Sequence, residues 1–167
     1  MSDADSQKQI KLTSSDDKTF TVSRKVISQS KTITDIIQNL GIEESGSTSE
    51  DTIPLQKVTS TILEKIITWC EHHADDEPKK VDENKKTVDI SEWDAEFMKV
   101  DQGTLFEIIL AANYLDIRGL LDVTTQNVAN MMKGKTPSQI RTLFNIENDF
   151  SEEEREAMKK ENAWCED

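Results

Sequence analysis

Cys70, His72 and His73 are the side chains in this sequence with the most obvious chemical capacity, because thiolate and imidazole are zinc ligands. A closed zinc site wants four such ligands in a tetrahedron. The apolar pattern around these residues is helical, and each helical residue advances about 100°. His72 therefore points about 200° away from Cys70, so only Cys70 and His73 could meet on one ion. No second ligand cluster completes the set. Cys70 reads as a small core residue, with the histidines at a fraying helix end. Lys133-Gly134-Lys135-Thr136 resembles the tail of a phosphate loop. The full motif needs a glycine five positions before Gly134, where Ala129 stands, and a preceding strand rather than a helix. A helix end followed by a helix cap accounts for it better. No nucleophile elbow, paired metalloprotease histidines or Gly-rich dinucleotide loop occurs. The expectation is a protein that is not an enzyme, with no catalytic residue, no metal and no cofactor.

Charge narrows the partners. The 167 residues carry a formal net charge of −13. Residues 43–51 hold four acids and no base, and residues 147–167 hold nine acids against three bases. Such a field repels nucleic-acid phosphates and anionic lipid, which argues against nucleic acid and membrane as partners. The sequence opens on Met1-Ser2-Asp3-Ala4-Asp5, unlike a secretory signal. No apolar run approaches the roughly 18 residues of a membrane span. The two cysteines show no disulfide-framework spacing, so the expected compartment is the reducing cytosol or nucleus.

The elements that position the chain follow from periodicity. Ile10-Lys11-Leu12 and Phe20-Thr21-Val22 alternate about a turn at 15–18, which predicts a hairpin. Ile33, Ile36, Ile37 and Leu40 predict a helix closed by Gly41. Ile53-Pro54-Leu55 is a short third strand that Pro54 confines to an edge. Ile62, Leu63, Ile66, Ile67 and Cys70 share a helix face, with Thr61-x-x-Glu64 as its capping box. Residues 43–52 and 74–90 read as mobile acidic loops. Between Leu105 and Ile117 the sequence is apolar on nearly all sides, so a helix there must be buried on nearly all sides, part of it against a partner. A helix from Leu120 to Met132 ends at Gly134. Thr136-Pro137-Ser138-Gln139 starts another with a capping box, and Ser151-x-x-Glu154 caps a last one of weak apolar content. Met131, Met132, Val128, Phe144, Ile146 and Trp164 exceed what so short a segment can bury, and a partner-completed core accounts for them.

The residues then form a recognisable series. Val100-Asp101-Gln102-Gly103-Thr104-Leu105-Phe106-Glu107, Leu110-Ala111-Ala112-Asn113-Tyr114-Leu115-Asp116-Ile117, Lys133-Gly134-Lys135-Thr136-Pro137 and Trp69-Cys70-x-His72-His73 closely resemble the Skp family, adaptors of Skp–cullin–F-box ubiquitin ligases. The resemblance implies an α/β (α+β) chain. A BTB/POZ-like small three-stranded sheet with surrounding helices would span residues 1–130. A C-terminal helical extension at 131–167 would receive the F-box, with that interface beginning near 118. It implies a cullin scaffold and F-box proteins as partners, and a weak homodimer when the chain is free. Asn113 and Tyr114 match the family's cullin contacts, and Leu121, Val128, Met132, Phe144, Ile146 and Trp164 its F-box contacts. A self-associating BTB oligomerisation module is the alternative.

Overall fold

Alternating side chains build a one-faced sheet first. Strand β1 (Gln9–Ser14) buries Ile10, Leu12 and Ser14, and β2 (Thr19–Ser23) buries Val22. They pair antiparallel with Ile10 opposite Val22 and Leu12 opposite Phe20. The joining turn is held by the Ser14 amide donating to the Lys18 carbonyl at 2.9 Å, with Asp17 at φ 61. Aspartate tolerates this left-handed geometry better than most residues. Strand β3 (Thr52–Leu55) lies parallel to β1 on its other side, giving the order β2-β1-β3 and leaving Pro54 on an edge strand. Ile53 and Leu55 point to the same covered face. The computed structural model describes residues 8–41, 52–77 and 88–163.

A parallel neighbour demands a crossover. Between β2 and β3 the chain forms a short helix α1 (Arg24–Ile27), absent from the sequence expectations, and α2 (Lys31–Asn39). Gly41, at φ +63, ends α2 as expected. Helix α3 (Ser60–His72) buries Ile62, Leu63, Ile66, Trp69 and Cys70. Its start corrects the expected capping box at Thr61. The helix begins two residues earlier than that box would place it, and its N-cap Thr59 makes no side-chain bond. Asp16 of the hairpin turn does the work from 44 residues away. One carboxylate oxygen accepts from the Ser60 amide at 2.7 Å, and the other from the Ser60 hydroxyl at 2.5 Å. These bonds favour the ionised form, and with the Ser60 hydroxyl foremost they bring the Asp16 carboxyl down from 3.8 to about 2.

Helix α4 (Glu92–Phe97) is also absent from the sequence expectations. Ser91 caps it, and Asp94 is buried within it. Helices α5 (Gln102–Tyr114) and α6 (Arg118–Met132) follow. A main core joins the inner faces of the sheet, α2, α3 and α5, while Met98, Leu105 and Val123 form a smaller buried cluster. Val88 and Ile90 pack on that cluster, and the 74–77 turn is bonded to Gln29. The described ends of the expected loop 74–90 are therefore built structure. Of the other expected loop, 43–52, Thr52 already belongs to β3, and residues 43–51, like 78–87, lie outside the described residues.

The chain divides into two compact units, Met1–Met131 and Met132–Asp167. The second holds α7 (Pro137–Leu143) and α8 (Glu152–Glu161), each with the expected capping box, at Thr136/Gln139 and Ser151/Glu154. Neither helix contains a fully buried residue.

Candidate protein-binding faces

Helix α5 is capped by Asp101, whose carboxylate accepts from the Thr104 amide at 3.0 Å and its hydroxyl at 2.6 Å. Both bonds hold the Asp101 carboxyl below its ordinary value, the hydroxyl bond most strongly. Leu105, Ile108, Ala111 and Ala112 face the interior. The chain itself covers this helix on one face only; on the other, the part of the expected burial left to a partner, Phe106 is 38% and Leu110 69% exposed. One turn further on, Asn113 is exposed and Tyr114 half-buried. The helix thus carries an apolar ridge ending in an amide and a phenol.

The end of that ridge is rigidly made. Asp116, at φ 49, takes the left-handed position after the helix. Its amide donates to the Asn113 carbonyl at 3.2 Å, and the Ile117 amide to the Ala112 carbonyl at 2.9 Å. These two bonds are the paired closures of a Schellman turn. Ser30 joins this end to the start of α2. Its hydroxyl accepts from the Ile33 amide at 3.2 Å, capping α2, and donates to the Leu115 carbonyl at 2.5 Å. The Thr32 hydroxyl donates to the Tyr114 carbonyl at 3.1 Å. Lys57 places its ammonium 5.5 Å from the centroid of the Tyr114 ring. Sequence reasoning missed Ser30, Thr32 and Lys57, since the two hydroxyl bonds span 85 and 82 residues. Ser30 before a helical pattern did carry the signal of an N-cap.

The other candidate residues fall in both units. On α6, Leu121, Val128 and Met132 sit seven and four residues apart, within about 40° on a helix wheel. Leu121 packs against the main core and Val128 against the smaller cluster, each half-buried, while Met132 is 39% exposed. In the second unit, α7 ends in another Schellman turn. Asn145 is left-handed at φ 51, and the Ile146 amide donates to the Arg141 carbonyl at 2.8 Å. This turn leaves Phe144 half-buried and Ile146 56% exposed. Phe150, also exposed, escaped the sequence analysis although its bulk on a polar stretch marked it. Trp164 lies outside the described residues.

The Cys70 region is packed rather than frayed. Burial pushes the Cys70 thiol up to about 12, with Glu71 adding to the effect. His73 stacks on Trp69 at 4.2 Å, and His72 on Trp93 at 3.8 Å. The buried Asp94 carboxylate accepts from the Trp69 indole at 2.9 Å and the Ser91 hydroxyl at 2.8 Å, and faces a His73 ring nitrogen at 3.1 Å. This constellation pins α4 to α3. Among the described residues no group of His, Cys, Asp and Glu side chains is placed to hold a metal ion.

A three-stranded mixed sheet under helices, with apolar ridges on its helices, is the anatomy of a POZ-type protein-binding module. The Skp1 family tetramerisation domain matches residues 8–75, and the Skp1 family dimerisation domain matches residues 118–165. A Skp1-related protein of Caenorhabditis elegans is 54% identical over 170 residues, covering 100% of this chain and 97% of that one. The SCF ubiquitin ligase complex proteins SKP1a and SKP1b of Dictyostelium discoideum are each 50% identical over 161 residues, with 95% of this chain and 96% of theirs covered. The chain belongs to the Skp1 family.

Proposed function

We propose that this chain is the adaptor subunit of a Skp–cullin–F-box ubiquitin ligase and performs no catalysis itself. The carrying observation is the exposed ridge of Phe106, Leu110 and Asn113 beside Tyr114, set on a helix whose other face is core. A ridge fixed at its end by Ser30, Asp116 and Thr32 is preorganised, and a preorganised apolar face loses little entropy on docking. We assign this ridge to the cullin, with Asn113 and Tyr114 as contacts. Leu121, Val128, Met132, Phe144, Ile146 and Trp164 are assigned to the F-box, and the names of the Dictyostelium relatives support membership of such a complex. The mechanism is positioning. One partner brings the substrate and the other the transfer machinery, so the reacting groups meet at the effective concentration of a tether.

The test uses two variants against both partners. Asn113→Lys with Tyr114→Lys buries two new charges at the cullin contact, which costs several kcal/mol. Cullin binding is lost and F-box binding kept. Trp164→Ala does the reverse, because an interface tryptophan is worth ~2 kcal/mol or more, about thirtyfold in affinity. If each variant weakens both partners equally, the assignment of faces is wrong. The same exposed apolar residues support a weak homodimer in the free chain, which partners displace. Light scattering that finds a tight dimer surviving partner addition would favour the self-associating module instead.

A further inference from the structure

We infer that Lys57 is a specificity-determining residue of the cullin-facing ridge, clamping the Tyr114 ring and presenting a positive charge to a carboxylate on the docked partner. The inference rests on the assignment of that ridge to the cullin. Three observations carry it.

The first is geometry. The Lys57 ammonium stands 5.5 Å from the Tyr114 ring centroid, inside the range where the negative face of an aromatic ring attracts a cation. The second is that Lys57 is placed by built structure. It sits in the 56–58 turn, between Leu55 and Val58, each 1% exposed. The Val58 amide donates to the Leu55 carbonyl at 3.2 Å, and the Val58 carbonyl accepts from the Ser15 amide at 2.8 Å. The backbone carrying this lysine is therefore anchored on both sides, and its side chain reaches from the end of β3 to the end of α5. The third is charge. The chain as a whole is −13, yet a cation is held at the tip of the ridge. The neighbouring carboxylate at that end, Asp116, is already paired with the Arg118 guanidinium at 2.9 Å. An ammonium whose contact is a ring face keeps hydrogen-bonding capacity for an incoming anion, since lysine has three donors. A carboxylate on the partner is the complement that this arrangement selects.

Substitution at Lys57 separates the two parts of the effect. Lys57→Gln removes charge and clamp, Lys57→Glu puts a repelled carboxylate over the ring face, and Lys57→Arg keeps both attractions. Binding of the full chain to a cullin N-terminal region should weaken about two- to fivefold for Lys57→Gln and about tenfold for Lys57→Glu, with Lys57→Arg within about twofold. Added salt should weaken the wild type more steeply than Lys57→Gln, because the lost pair is screened. Tyr114 is the sole tyrosine of the chain, so tyrosine labelled at the ring ε carbons gives an NMR signal from this ring alone. That signal should shift in Lys57→Gln and Lys57→Glu but not in Lys57→Arg, with melting temperature and F-box affinity unchanged. Wild-type cullin affinity in both Lys57→Gln and Lys57→Glu overturns the inference, provided Asn113→Lys with Tyr114→Lys still abolishes binding. If that double variant also binds normally, the assignment of the ridge to the cullin is what has failed.

Discussion

Ser30→Ala removes one hydroxyl that completes two helices. Ser30 is 1% exposed, so no water replaces it without rearrangement. The N-cap of α2 loses its side-chain acceptor for the Ile33 amide, a change worth about 1 kcal/mol. The Leu115 carbonyl loses its 2.5 Å donor but keeps the Thr32 amide at 3.3 Å. Its penalty therefore falls near the bottom of the ~1–3 kcal/mol range for an unsatisfied buried group. The two effects together come to about 2 kcal/mol. For a chain of this size that is a fall in melting temperature of about 4–8 °C. Urea unfolding followed by circular dichroism should show a lower midpoint with an unchanged slope. Cullin binding should weaken beyond F-box binding, since the loosened helix end carries Asn113 and Tyr114. A variant that melts within a degree of wild type would refute the double-cap account. A destabilised variant with equal losses toward both partners would refute its link to the ridge.

A Cβ at Gly119 would stand 2.8 Å from Trp69 Cη2, closer than packed atoms come, so Gly119→Ala should cost about 1–3 kcal/mol by overpacking, read as a lowered urea midpoint. Asp16→Asn tests the long-range cap through pH. The folded carboxyl lies at about 2, below its ordinary 3.8, so its contribution is present above about pH 4 and is lost as pH falls toward 2. The melting temperature of wild type should therefore converge on that of Asp16→Asn across this window, and parallel curves would contradict the cap.

Local patterns made much of this fold legible. The hairpin, the proline-marked edge strand, the Gly41 and Gly134 turns and both C-terminal capping boxes rest on residues within a few positions of one another. What the sequence hid was non-local. Asp16 caps a helix 44 residues away, which no window over Thr61 to Glu64 could reveal. Helix α4 is six residues long and too short for a periodic signal. It is secured by a buried carboxylate meeting Trp69 from 25 residues off, and only Ser91 with the Trp93 and Phe97 spacing announced it. Helix α5 showed the opposite difficulty. Its all-round apolar composition signalled burial, part of it against a partner, but composition cannot say which face the chain itself covers. Phe106 and Leu110 lie exposed, while Leu105 and Ile108 lie in the core. Asn113 and Tyr114 were visible as polar interruptions of that helix, whereas the groups that hold them were not.

In the proposed function one chain holds two partners at once through different faces. The decisive measurement is multi-angle light scattering on an equimolar mixture of this chain, a cullin N-terminal region and an F-box domain. A single 1:1:1 species should form, with cullin affinity unchanged by F-box saturation. Two separate binary complexes in competition, with no ternary species at concentrations far above both dissociation constants, would contradict it.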